Sequence, residues 1–261
     1  MPNIVVLIKQ VPDTWSERKL TDGDYTLDRE AADAVLDEIN ERAVEEALQV
    51  KESQGGEVTV LCAGPDRANE AIRKALSMGA DKAVHLNDEA IHGSDGVQTS
   101  WALAAAIGQI EGAELIIAGN EATDGRMGAV PAIIAEYLGI PQLTHMRSLT
   151  VEDGKVSGER ETDEGTFELE APTPAIISVT EKINEPRFPS FKGIMAAKKK
   201  EVQVLTLADV GVDADTVGVA NAGTAVTAAT PKPPRTAGEK TADEGEGGND
   251  VAKYLVSQKI I

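Results

Sequence analysis

The sequence predicts a doubly wound α/β domain with a mainly parallel sheet, an antiparallel hairpin extension and an extended C-terminal arm. Three observations predict it. Short strands are apolar along their whole length, they alternate with amphipathic helical stretches through roughly the first 140 residues, and large apolar side chains thin out beyond residue 208. Strands without a polar face belong to parallel sheets covered by helices on both sides.

The elements follow in order. NIVVLIK (3–9) is a β-branched run and the first strand; NERAVEEALQVKE follows as a helix with Ala43, Val44, Ala47 and Leu48 on one face. EVTVLCAG is a second strand stopped by Gly64-Pro65, and DRANEAIRKALSMGAD a helix striped by Ala68, Ala71, Ile72, Ala75 and Leu76 and closed by Gly79. KAVHL, GVQTSWALAAAIGQIEG and AELIIAG give strand, helix and strand, and NEATDGRMG leads into the helix AVPAIIAEYLG. From about 143 to 180 polar and apolar residues alternate around Asp153-Gly154 and Glu164-Gly165, which predicts antiparallel strands and hairpins. A Pro/Phe/Lys loop follows, then a short helix through GIMAAKKK and a last strand, EVQVLTL. Residues 1–207 thus form the α/β domain. Residues 208–261, rich in Ala, Gly, Thr and Pro and ending in the amphipathic VAKYLVSQKII, form an arm that needs another surface to lie on.

Composition excludes several functions. A formal net charge of -19, from 25 basic and 44 acidic residues, argues against nucleic acid and anionic membrane surfaces. No apolar run approaches the roughly 20 residues that span a bilayer. The apolar stretch at the N-terminus is cut short by Lys9, unlike a signal peptide. A single cysteine, Cys62, forbids an internal disulfide and fits a reducing compartment; three scattered histidines show no zinc spacing. The expectation is a soluble, cytoplasmic protein. No Ser/His/Asp or Cys/His arrangement points to catalysis.

Three stretches carry the candidate sites. GNEATDGRMGAVP, from Gly119 to Pro131, leaves the carboxyl end of an apolar strand and opens a helix, where free backbone N–H groups attract an anion. Its spacing matches neither GxGxxG nor a P-loop, so a plain strand-to-helix loop stands beside the nucleotide reading. Lys9, at the end of the first strand, and the helix start from Asp37 line the same crevice, or are an ordinary solvated charge and an ordinary acidic first turn. The third stretch, NEPRFPSFKGIMAAKKKEV (184–202), gathers five of the 25 basic residues and two of the three phenylalanines, Phe188 and Phe191, around Pro189. Rings on a proline-stiffened loop suit an interface anchor better than a solvated loop.

VLIKQVPD, AVEEALQ, AIRKALSMGAD, ERETDEG, and above all NEPRFPSFKGIMAAKKKEV with RTAGEK further on, resemble the small, beta subunit of electron-transfer flavoproteins over nearly the whole chain. The resemblance implies an adenine-nucleotide alpha-hydrolase-like fold and a heterodimer with an alpha subunit that holds most of the FAD. It implies an electron carrier, not an enzyme, running from flavin dehydrogenases such as the acyl-CoA dehydrogenases of fatty acid beta-oxidation to a membrane-bound quinone reductase. AMP in the beta subunit would contact Leu7, Asp37, Glu38, Ile39, Asn40, Ala63 and the loop Gly119, Asn120, Glu121, Ala122, Thr123, Asp124, Gly125, Arg126, Met127, Gly128, Ala129 and Val130. Partner docking would fall to Glu185, Pro186, Arg187, Phe188, Pro189, Phe191, Ile194, Met195, Lys198, Lys199 and Lys200, with Phe191 in the place of a leucine found in many members. Glu161 would steady a mobile flavin domain through an arginine of the alpha subunit.

Two departures bear on the nucleotide. The family's DGDTGQVG is DGRMGAVP here, which puts Arg126 where others carry an acid, and the usual Asn-Pro-Phe/Tyr start of the first helix is DEIN. Electron-bifurcating relatives, which oxidise NADH, hold a second FAD in this crevice, so the sequence leaves AMP, FAD or neither open. A nucleotide-sensing, stress-type module is a third reading, and it leaves the Phe/Lys loop and the arm without purpose.

Overall fold

Alternation along the first strand sets up the two layers. In the computed structural model, which describes residues 1–238 and 240–261, β1 (Asn3–Ile8) turns Ile4, Val6 and Ile8 toward one face of the sheet and Val5 and Leu7 toward the other. The first face is covered by α1 (Glu38–Gln54) and α2 (Asn69–Met78), which contribute Ala43, Val44, Ala47 and Leu48, and Ala71, Ile72, Ala75 and Leu76. The second face is covered by α3 (Gly96–Ile107) and α4 (Val130–Leu138), through residues that include Ala102, Leu103, Ala106 and Ile134. Glu239, inside the RTAGEK motif, lies outside the described residues.

The strands between these helices are β4 (Glu57–Ala63), β5 (Lys82–Leu86) and β6 (Ala113–Gly119); a two-stranded antiparallel pair, β2 (Gln10–Pro12) with β3 (Ala34–Leu36), precedes α1. The last strands are β7 (Gln142–Glu152), β8 (Lys155–Thr162), β9 (Gly165–Pro172), β10 (Ala175–Val179) and β11 (Val202–Leu205). The sheet has nine strands in the order β11-β5-β4-β1-β6-β10-β7-β8-β9. It is parallel from β11 to β7 and antiparallel from β7 to β9. The hairpins expected between 143 and 180 are therefore only part of that stretch. β10 inserts between β6 and β7, parallel to both, because its five residues, AIISV, are all buried and a strand buried on both faces needs cover on each.

Helix ends follow local chemistry. Asp37 caps α1 and Asp95 makes a capping box with Gln98 on α3; each such cap contributes about 1 kcal/mol. α4 has Pro131 in its first turn and ends at Gly139, which is left-handed at φ 64°. Beyond β11 the chain stays packed for a while: Leu207, Val210, Val212 and Val217 are buried with α3 and β5, and the Gly218 amide donates to Ser94 Oγ. The chain divides into two compact units, Met1–Thr227 and Ala228–Ile261. The second contains α6 (Gly247–Ser257), on which Val251, Tyr254 and Val256 are exposed. No helix among the described residues is long and apolar enough to cross a membrane.

Candidate functional site

The direction of winding reverses at β1. From β1 the chain steps to β4 and β5 on one side, then returns to place β6 on the other. Such a reversal leaves a crevice beyond the carboxyl ends of the two central strands. Lys9 follows β1 there, Gly119 ends β6, and Ala63 ends β4. Leu7 is 7% exposed and packs under the crevice as core.

Asp37 organises this region. Its buried carboxylate accepts Ile39 N at 3.0 Å and Asn40 N at 3.3 Å through Oδ1, and Thr123 N at 2.7 Å and Thr123 Oγ1 at 2.8 Å through Oδ2. One side chain thus caps α1 and fastens the loop after β6. Asn40 Oδ1 accepts the Lys9 amide at 2.7 Å, tying the end of β1 to the same helix start. Glu38 takes a hydrogen bond from Thr14 Oγ1 and faces outward. Gly119 has to be glycine: a Cβ would stand 2.6 Å from Asn40 Nδ2 and 3.0 Å from Ile39 Cγ2.

The cations of the crevice are already divided. Lys9 Nζ lies 2.9 Å from Asp124 Oδ1, and Arg29, which sequence inspection missed, reaches Asp124 Oδ2 at 3.3 Å. Burial would raise the Asp124 carboxyl, but Lys9, Arg29 and the Gly125 amide outweigh it and hold the group below its ordinary value. Arg126, left-handed at φ 51°, is 70% exposed in its side chain and only 3.7 Å from Glu121. Its long, loosely paired side chain can turn toward a ligand in the crevice. Gly125 faces open space, Gly128 is left-handed at φ 68° beside the Asn120 carbonyl, and no side chain caps the first turn of α4 at Ala129 and Val130. Met127 lies against Gly96, at the start of α3. Asn120 donates to the His145 ring at 3.3 Å, while its Oδ1 is buried with no partner among the described residues. Uncapped amides, an exposed guanidinium and an unpaired carbonyl suit a ligand that joins an anionic group to a hydrogen-bond donor.

The second candidate site is built on α1 and α2. Phe188 and Phe191 are 95% and 81% exposed, and Ile194 and Met195 are exposed beside them. The short helix α5 (Phe191–Ala197) starts at Ser190, whose Oγ accepts the Gly193 amide at 3.0 Å. α5 sits close on α2: a Cβ at Gly193 would come 2.5 Å from the Ser77 carbonyl. The basic residues of this stretch divide in two. Lys198 and Lys199 are exposed. Lys200 donates to the Leu76 carbonyl at 3.2 Å and to that of Ala80, capping the end of α2, where burial lowers its ammonium group. Arg187 is occupied by Glu45 and Glu52 of α1, and Glu185 lies 3.5 Å from Arg42. Pro186 and Pro189 are half-buried around the rings. Sequence inspection weighs the start of α1 as crevice lining or an ordinary acidic first turn and misses Glu45 and Glu52, which stand seven residues apart on one helix face.

Glu161, on β8, is held within the chain by Lys182 at 2.9 Å and Arg147 at 3.2 Å, and Lys182 above all lowers its carboxyl. Cys62 is buried, which pushes its thiol up to about 12 and makes it a poor nucleophile. Among the described residues no group of three or more His, Cys, Asp or Glu is placed to hold a metal ion.

Comparisons with known proteins place the chain in a family. Residues 24–210 match the family model described as electron transfer flavoprotein domain. The chain is 75% identical over 266 residues to the electron transfer flavoprotein subunit beta of Mycobacterium tuberculosis (strain ATCC 25618 / H37Rv), and 74% identical to that of Mycobacterium leprae, all of both chains being covered in each case. It is 34% identical to the Caffeyl-CoA reductase-Etf complex subunit CarD of Acetobacterium woodii, over 98% of this chain and 97% of that protein. The chain belongs to the electron transfer flavoprotein family as a beta subunit, with an electron transfer function.

Proposed function

We propose that the chain is the small subunit of a heterodimeric carrier that takes electrons from flavin dehydrogenases, acyl-CoA dehydrogenases among them, and hands them to a membrane quinone reductase. The observation that carries this reading is the pair of rings at Phe188 and Phe191, exposed on a loop whose base is fixed to α1. A carrier needs a weak but specific grip, and one large anchor in an apolar pocket supplies roughly 2–4 kcal/mol. FAD, held mainly by the alpha subunit at the shared interface, supplies the electron-transfer chemistry when bound. This chain positions the partner and shapes that interface, and Glu161 would exchange its bonds to Lys182 and Arg147 for an arginine of the alpha subunit.

AMP is the ligand proposed for the crevice. The amides of the first α4 turn and Arg126 would take the phosphate, and Asn120 Oδ1 a donor on the rest of the molecule. Lys9 would act only through Asp124. The setting proposed is the cytoplasm.

The test is Phe191→Ala in the purified heterodimer. Turnover efficiency with an acyl-CoA dehydrogenase should fall about tenfold or more with flavin content unchanged; unchanged turnover with every dehydrogenase donor overturns the reading. A second reading draws on the Acetobacterium woodii relative, which is named for a reductase complex. In it the chain serves an electron-bifurcating, NADH-oxidising complex with FAD in the crevice. Ligand analysis separates the two: one FAD and one AMP per heterodimer, or two FADs.

A further inference from the structure

The ring-bearing segment lies between two anchors. On its carboxyl side, Ser190 caps α5 and α5 packs on α2. On its amino side, the chain just before Phe188 is fastened to α1. Arg187 Nε donates to Glu45 Oε2 at 2.7 Å, Nη2 to Glu45 Oε1 at 2.9 Å, and the Arg187 amide to Glu45 Oε2 at 3.1 Å. The same guanidinium reaches Glu52 Oε2 at 3.2 Å. Asn184 Nδ2 donates to Glu46 Oε2 at 3.0 Å and to the Arg42 carbonyl at 3.1 Å, and Arg42 returns a bond to the Asn184 carbonyl. The Glu45 side chain is 6% exposed and that of Arg187 33%, so this is a two-pronged pair buried on its acidic side and open to solvent on its basic side.

Stability alone is a weak reason for such a pair, because taking two charges out of water offsets most of their attraction. Geometry is a better one. A planar guanidinium forked onto a carboxylate fixes direction as well as distance, and it does so at the residue next to Phe188. Rings free to pivot would have to be ordered at every encounter with a partner, and that ordering weakens binding.

We propose that Glu45 and Glu52 are positioning residues for electron transfer: by clamping Arg187 they hold Phe188 and Phe191 in the pose that an apolar pocket on a flavin dehydrogenase receives. The proposal rests on the docking reading above. It adds that α1, acting through Arg187, sets how well that partner is recognised.

The experiment uses the intact heterodimer with its cofactors and a purified acyl-CoA dehydrogenase. Glu45→Ala should raise amide hydrogen exchange across 186–193 at least severalfold with no partner present. It should raise the KM for the dehydrogenase about tenfold while kcat changes less than twofold. Glu52→Gln, half-exposed and safe for folding, should move both quantities in the same direction by about threefold, and Glu45→Gln, which keeps the hydrogen-bonding shape, should restore part of each. Faster exchange with an unchanged KM, or unchanged exchange in both the Glu45→Ala and Glu52→Gln variants, overturns the clamp. Phe191→Ala, run in parallel, separates the two failures. If it raises KM and the α1 variants do not, only the clamp falls; if it leaves KM unchanged, the docking reading falls and the clamp's role with it.

Discussion

Two buried carboxylates on α1 show how local surroundings decide what an acid does. Asp37 accepts four hydrogen bonds and so stays inside without a cation. Glu46 has less support: burial, the dominant influence, raises its carboxyl above the ordinary value, and the bond from Asn184 only partly offsets this. The folded protein therefore holds the Glu46 proton more tightly than the unfolded chain. Stability from this group is present at acidic pH and is lost as pH rises through the folded value. Glu46→Gln keeps an acceptor for Asn184 and removes the ionisation. It should raise the melting temperature by a degree or more at neutral pH, with the gain vanishing in acid where Glu46 is protonated in both states. Melting curves across that range check it, and a gain that persists unchanged into acid would contradict it. Glu45 behaves in the opposite sense, because hydrogen bonds from Arg187 outweigh its burial and lower it.

Among the elements, α5 depends most on a single backbone position. Gly193 lies against the Ser77 carbonyl, a rigid neighbour that cannot give way as a side chain can. Gly193→Ala should push α5 away from α2 at a cost of about 1–3 kcal/mol, read as a lower denaturation midpoint, with weaker dehydrogenase binding alongside. Much of the element order is legible in the sequence, since unbroken apolar strands and striped helices report burial directly. β10 was misplaced for a physical reason: its five buried residues follow a run of true hairpins, and parallel pairing to β6 is decided by chain segments some sixty residues away. The crevice loop was legible, because a strand end, small residues and a helix start are local signals. The fastening of Arg187 to Glu45 was not, for the partners stand 142 positions apart. Lys200 misled in the same way. Its charge suggests a docking face, while its hydrogen bonds to two carbonyls at the end of α2 make it part of the scaffold.

At the scale of the molecule, a net charge of -19 surrounds a small basic area formed by Lys192, Lys198 and Lys199 beside the rings. On the docking proposed above, such an area would steer acidic partners during approach and the rings would hold them afterwards. Replacing Lys198 and Lys199 by Gln should slow association with a dehydrogenase a few-fold at low ionic strength and leave dissociation nearly unchanged. The difference should fade in high salt, where screening shortens to about 3 Å; stopped-flow traces at two salt concentrations decide it. α1 has a consequence at this scale too. Its 17 residues make a rod of about 25 Å, pinned at its start to the crevice loop by Asp37 and further along to the ring-bearing loop by Glu45. A beam fixed at both stations keeps their spacing constant. On the docking proposed above, the ring-bearing loop and the crevice loop would share one stator, a fixed frame from which an electron's path through the heterodimer is measured.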